Sequence, residues 1–195
     1  MKIILTSNGV SSKKVERKFL NLSGNPEKKK VLVIRTVRKN GHDEYADEIL
    51  DELKRAGFDE NKIRFANPFR EFASEDMKNF DIIYSAGGNT FIILNEFRLK
   101  GFDSLIKEMI REGKVYLGVS AGTILLQESI EIAEVGKNGD PNYINLKDLS
   151  GLGIVDLTVF PHYEDSNESE IKKFEKENKI QVTRLRDGGC IVIKN

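Results

Sequence analysis

The chain is poor in the residues that would commit it to several common chemistries. Cys190 is its only cysteine, so an internal disulfide and a cysteine-based zinc site are both excluded. It has two histidines, His42 and His162, which leaves few candidates for any step that needs an imidazole. It has no excess of one charge: 31 basic and 31 acidic side chains cancel, so there is no electrostatic reason to expect nucleic acid or an anionic membrane as partner. Long apolar runs are missing too. The opening "MKIILTSNGV" is too short in apolar residues for a signal-peptide core or a membrane span. The expectation is a soluble, cytoplasmic protein. Repeats and low-complexity tracts are absent, and 195 residues are enough to bury one sizeable core. A single domain over 1–195 is expected, monomeric or homodimeric.

What is present is a rhythm of short apolar runs and longer amphipathic segments. "KIILTS" (2–7), "VLVIRT" (31–36), "KIRFA" (62–66), "DIIYSA" (81–86) and "VYLGV" (115–119) read as strands, several of them continuous β-branched runs suited to burial on both faces. Between them, 11–24, 42–58, 90–101 and 102–113 read as helices with serine or asparagine caps and glycine stops. A further helix is expected from "GTILLQE" (122–128). This βαβα alternation predicts an α/β fold with a mostly parallel sheet and helices on both faces. After residue 128 the pattern changes. "SIEIAEV" (129–135), "IVDLTVF" (154–160), "QVTRL" (181–185) and "CIVIK" (190–194) read as strands, with one charged helix near 168–178. In sheets of this class, sites form beyond the carboxyl ends of the strands. That rule selects the loops after Ser7, Thr36, Ala86 and Val119, and the segment after Phe160.

One of those loops carries Gly118-Val119-Ser120-Ala121-Gly122, a G-x-S-x-G pattern at an expected strand-to-helix junction. Small residues two before and two after the serine let backbones crowd at a strained turn. The turn would present Oγ beside free backbone N–H groups able to hold an oxyanion. The bland alternative is a helix cap with glycines for packing. A serine nucleophile needs a base. His42 reads as a first-turn surface residue; His162, after a strand and Pro161, falls at the right edge of the sheet. A third group should orient the imidazole. Asp156 is expected inside the preceding strand, and Glu164 and Asp165 are too close in sequence to reach back. Asp187 ends a strand before Gly188 and Gly189; it is equally readable as an Asp-Gly hairpin joining 181–186 to 190–194. "SAGGNTF" (85–91) is the other special loop, with Asn89 or Thr90 as helix cap. It lacks Walker and Rossmann spacing, so an oxyanion suits its N–H groups better than a phosphate.

"AGGNTF", "GVSAG", "FPHY" and "LRDGG" together resemble peptidase family S51, the group of dipeptidase E and cyanophycinase, over most of the chain. The resemblance implies a class I glutamine-amidotransferase-like, flavodoxin-like three-layer sandwich. It implies Ser120 as nucleophile, His162 as base and Asp187 as acid, at a position more often Glu in dipeptidase E. It implies oxyanion-hole donors at Gly88 and Ala121, substrate contact at Asn89, and no metal or organic cofactor. The order Ser, His, Asp differs from that of α/β-hydrolases, and serine at the elbow differs from the cysteine of glutamine amidotransferases. Dipeptidase E carries an arginine after the histidine that selects an N-terminal aspartate. Here 164–179 reads "EDSNESEIKKFEKENK", so the aspartyl preference does not carry over. The expected activity is a serine-type peptidase acting on small peptides; the alternative is a non-catalytic small-molecule binding domain of the same fold.

Overall fold

Alternation along the short apolar runs sends successive side chains to opposite faces of a sheet, and both faces are covered here. The computed structural model describes residues 1–35, 44–67 and 78–194; His42 and the loop after Thr36 lie outside them. Strands β1 (Lys2–Thr6), β2 (Val31–Ile34), β3 (Ile63–Ala66), β4 (Ile82–Ser85), β5 (Val115–Val119) and β8 (Cys190–Lys194) form one sheet in the order β3-β2-β4-β5-β1-β8. All pairs are parallel except β1 with β8. Leaving β1 and β8 aside, the order is the 2-1-3-4 of a doubly wound, flavodoxin-like sheet, with β1 filling the place of the next parallel strand.

Ile4, Val33, Tyr84 and Leu117 pack with Val15 and Phe19 of helix α1 (Lys13–Ser23) and with Ile49 and Leu53 of α2 (Glu44–Arg55). On the other face, Ile3, Leu5, Leu32, Ile83 and Tyr116 pack with Phe91, Leu94 and Phe97 of α3 (Thr90–Lys100) and Ile106 and Met109 of α4 (Phe102–Arg111). The helices begin and end as their sequences demand. Ser12 Oγ accepts the Val15 N–H, Asn89 Oδ1 accepts the Ile92 N–H, and Gly101 takes the left-handed conformation that closes α3. No helix among the described residues is long and apolar enough to cross a membrane.

Beyond residue 120 four expectations need correction. The helix after Ser120, α5, spans only Ala121–Ile124. The carbonyls of Leu125, Leu126 and Gln127 are taken by N–H groups of Leu152, Ile154 and Gly153, so they cannot continue a helix. Residues 129–135 are a 3₁₀ turn over Glu131–Glu134, not a strand, and bury Ile132 and Ala133. Strand β6 is only Thr158–Phe160, which leaves Asp156 in a bend outside it. Finally, 181–186 and 190–194 are not a hairpin. Strand β7 (Val182–Arg184) pairs in parallel with β6 in a separate two-stranded sheet, while β8 joins β1. Asp187-Gly188 is therefore the crossing point between two sheets. The charged segment is helical as expected, α6 (Glu168–Asn178).

Candidate active site

Three chain segments converge at the carboxyl ends of β1, β5 and β6. The first is the elbow after β5. Ser120 has φ 51° and ψ −111°, a conformation that costs an L-residue about 1–3 kcal/mol and persists only when its surroundings over-determine it. They do so here. Ser120 N–H donates to Thr6 O at 3.1 Å, and Ser120 O accepts from Thr123 N–H at 2.9 Å. Thr123 Oγ1 lies 2.8 Å from Thr6 O and 3.0 Å from Gly118 O, and accepts from Thr6 N–H at 3.1 Å. The flanking glycines are required by close approach. A Cβ on Gly118 would stand 2.6 Å from Gly122 O, and one on Gly122 would stand 2.2 Å from Ser85 O.

The second segment follows β6. Pro161 ends the strand, and His162 takes φ 53°, left-handed for a non-glycine residue and worth about 1–2 kcal/mol of local strain. Tyr163 N–H donates to Leu185 O at 3.1 Å, and Leu185 N–H to Phe160 O at 2.9 Å, so β7 carries the following residues to the histidine. The third is the crossing at Asp187. His162 Nδ1 lies 2.8 Å from Asp187 Oδ1. Asp156, the competing carboxylate, makes no such contact among the described residues and remains exposed. The structure thus brings Ser120, His162 and Asp187 to one edge of the sheet. No hydrogen bond joins Ser120 Oγ to the imidazole among the described residues; such bonds are often long before substrate binds.

The glycine loop after β4 stands against the elbow. A Cβ on Gly87 would come within 3.2 Å of Ser120 Cβ. Gly88 has φ 143° and is exposed. The N–H groups of Gly88 and Ala121 have no backbone acceptor among the described residues. Asn89 caps α3 and donates from Nδ2 to Pro141 O at 2.9 Å, so its side chain ties the loop at 139–141 to the helix. It lines neither cavity described next.

Ser120 and His162 face two cavities. The larger, about 1000 Å³, is bounded by the turn at 132–140, by 160–170 and by Arg186 and Asp187. Its charged lining is Lys137 and Arg186 against Asp140, Glu164, Glu170 and Asp187. The smaller, about 520 Å³, is lined by Ser7, Asn8, Arg35, Tyr45, Glu48, Gly87 and Gly88. The two late arginines have different fates. Arg184 is clamped by Glu168 and Glu175 at the back of β7, and those carboxylates push its guanidinium pKa up. Arg186 stacks over Tyr163 at 4.7 Å, pairs with Asp165 and borders the larger cavity. Burial raises the Cys190 thiol pKa; it packs against the α1–α2 side of the core.

Sequence reasoning marked the loop after Ser7 as lying on the correct edge but gave Ser7 no role. In the structure its hydroxyl donates to Asp187 Oδ1 at 2.6 Å and accepts the His162 N–H at 2.6 Å. Asn8 Oδ1 accepts the Gly188 N–H at 2.9 Å. Arg35, stacked 4.2 Å over Tyr45, was equally missed. Beneath it, Glu52 accepts the Tyr84 hydroxyl at 3.0 Å. Burial raises the Glu52 pKa, with the Val10 N–H and the Tyr84 hydroxyl pulling the other way.

The profile of the family described as "Peptidase family S51" matches residues 3–195. An uncharacterised peptidase of Listeria monocytogenes is 37% identical over 127 residues, which are 64% of this chain and 61% of that one. One of Pasteurella multocida is 32% identical over 148 residues, 74% of this chain and 70% of the other. A solved structure described as a peptidase E protein of Listeria monocytogenes superposes with a TM-score of 0.80 at 26% identity, covering 98% of this chain and 93% of that one.

Proposed function

The chain belongs to peptidase family S51, and on that premise we propose that it is a serine-type peptidase hydrolysing small peptides, dipeptides first among them. We read its α/β architecture as the class I glutamine-amidotransferase-like sandwich. The observation that carries the activity is the 2.8 Å contact of His162 Nδ1 with Asp187, beside a strained Ser120 that shares both cavities with the histidine. With Nδ1 engaged by the carboxylate, Nε2 is the ring nitrogen left for Ser120. In the proposed mechanism Oγ attacks the scissile carbonyl as His162 takes its proton. The oxyanion is held by the Gly88 and Ala121 N–H groups. His162 then protonates the leaving amine, the C–N bond breaks, and an acyl-enzyme remains. A water molecule, deprotonated by the same imidazole, attacks the ester and releases the acid and the free serine. Asp187 fixes the tautomer and stabilises the imidazolium throughout.

The larger cavity suggests the substrate class. With Arg186 already paired with Asp165 and Asp187 with His162, Asp140, Glu164 and Glu170 remain against Lys137 alone. That balance favours a free α-amino group over an acidic side chain, so the acyl residue is assigned to this cavity and the leaving residue to the smaller one. A fluorophosphonate probe tests the chemistry directly. Wild-type protein should be labelled at Ser120, and Ser120→Ala and His162→Ala should not; an unlabelled, folded wild type would remove the nucleophile and leave a binding domain.

A further inference from the structure

We propose that Ser7 is a positioning residue that holds the base and its carboxylate in register; the proposal rests on the peptidase reading above. The His162–Asp187 pair stands in the open, with side chains 50% and 56% exposed. Water competes for such a contact, and nothing in the pair itself prevents the carboxylate from turning outward. Ser7 differs from both. It is fully buried, at the end of a strand held on either side by β5 and β8. Its single hydroxyl proton goes to Asp187 Oδ1, and its oxygen accepts the backbone N–H of His162, each at 2.6 Å. One buried group thereby grips the acid by the same oxygen that meets the imidazole, and the base by its main chain. The second grip falls on a residue whose φ of 53° needs a fixed partner to persist. The carboxylate is also steadied from behind, because Asn8 Oδ1 accepts the Gly188 N–H and Ser12 Oγ donates to Gly188 O at 2.9 Å each.

A merely structural Ser7 would satisfy its own polar atoms and affect stability alone. A positioning Ser7 acts on kcat through Asp187 and His162. Three measurements on the whole chain separate them. Ser7→Ala should lower kcat on a dipeptide by roughly 10- to 100-fold, the cost of a misplaced catalytic group, with KM little changed. On the Asp187→Asn background the same substitution should cost clearly less than in the wild type, since the grip on the carboxylate is then already altered and only the one on the His162 main chain is left to lose. Ring ¹⁵N shifts of His162, taken where the imidazole is neutral, should show the proton fixed on Nδ1 in the wild type and a tautomer mixture in Ser7→Ala. Ser7→Cys keeps the side-chain shape but offers only a weak donor; it should show the same losses and decides the matter if the alanine variant does not fold. Full activity in a folded Ser7 variant, additive losses with Asp187→Asn, or an unchanged tautomer would each overturn the proposal. Failure of the peptidase reading looks different: wild-type protein would neither cleave dipeptides nor label at Ser120, while the tautomer measurement would still report on Ser7.

Discussion

Replacing Gly122 by alanine sets two effects of opposite sign against each other. In a helix interior alanine is favoured over glycine by about 1 kcal/mol, and on propensity alone the variant would be more stable. The surroundings of Gly122 argue otherwise. The new Cβ would stand 2.2 Å from Ser85 O and 2.9 Å from Ser85 Oγ, where ordinary contact begins at 3.4 Å. Ser85 O belongs to β4, paired on both sides inside the sheet, so α5 must yield, by about 1 Å. Overpacking of this kind costs roughly 1–3 kcal/mol, which outweighs the propensity gain and should lower Tm by a few degrees. The displacement carries Ser120 and the Ala121 N–H with it, and a shift of about 1 Å at a reacting group is worth about 10²-fold in rate. Initial-rate kinetics on a dipeptide, paired with thermal unfolding, test both arms. A Gly122→Ala protein as stable as wild type, with kcat/KM within about threefold of it, would refute the claim that close approach dictates glycine here.

Other perturbations read other parts of the site. Asp187→Asn should reduce kcat by roughly 10²–10⁴ while Asp156→Asn does far less, by analogy with other triads; steady-state kinetics of both variants reversing that order would reassign the acid. Asp-Leu should not be cleaved with a kcat/KM more than about a hundredfold above that for Ala-Leu, a ratio equivalent to about 2.7 kcal/mol, because carboxylates predominate among the charged residues of the larger cavity; a greater ratio would mean that Arg186 or Lys137 acts as an unscreened carboxylate anchor. Glu52 has its pKa raised by burial in the folded state. As pH rises from the ordinary glutamate range toward that raised value, the unfolded chain loses its proton first, and this group's contribution to stability falls. Urea unfolding at several pH values should show that decline in the wild type and a smaller one in Glu52→Gln; parallel curves would place the carboxylate in contact with water.

The first half of the fold was legible because its signals are local. "VLVIRT" and "DIIYSA" are runs that only a sheet covered on both faces can accommodate, and Ser12, Asn89 and Gly101 announce helix ends that the structure shows. From 125 to 157 the same reasoning failed. There the backbone is satisfied by a strap running alongside, Leu152 to Val155 against Leu125 to Gln127, and no periodicity reports a partner that is itself irregular. The hairpin expected at Asp187 failed for a related cause: the apolar runs on either side were read correctly as strands, but nothing in them says that one pairs with β6 and the other with β1. In the candidate site, Ser120 and His162 stand out by residue type and edge, whereas Asp187 reads equally as a turn residue and enters through the family resemblance. Ser7 could not be found, since its partners are 155 and 180 residues away and serine after a strand is common.

That long reach has a consequence for how the molecule comes into being. Strand β1 is synthesised before both of its neighbours, β5 and β8, and the Ser7 hydroxyl waits for His162 and then Asp187. Contacts between such distant residues close slowly, because the intervening loop must be ordered before they reward it. A nascent chain that already carries the elbow and the histidine therefore lacks the carboxylate that His162 meets in the finished fold. The elbow is made well before the segment that crosses from β7 to β8, so the contacts of Ser7 with His162 and Asp187 close only once that late segment is in place.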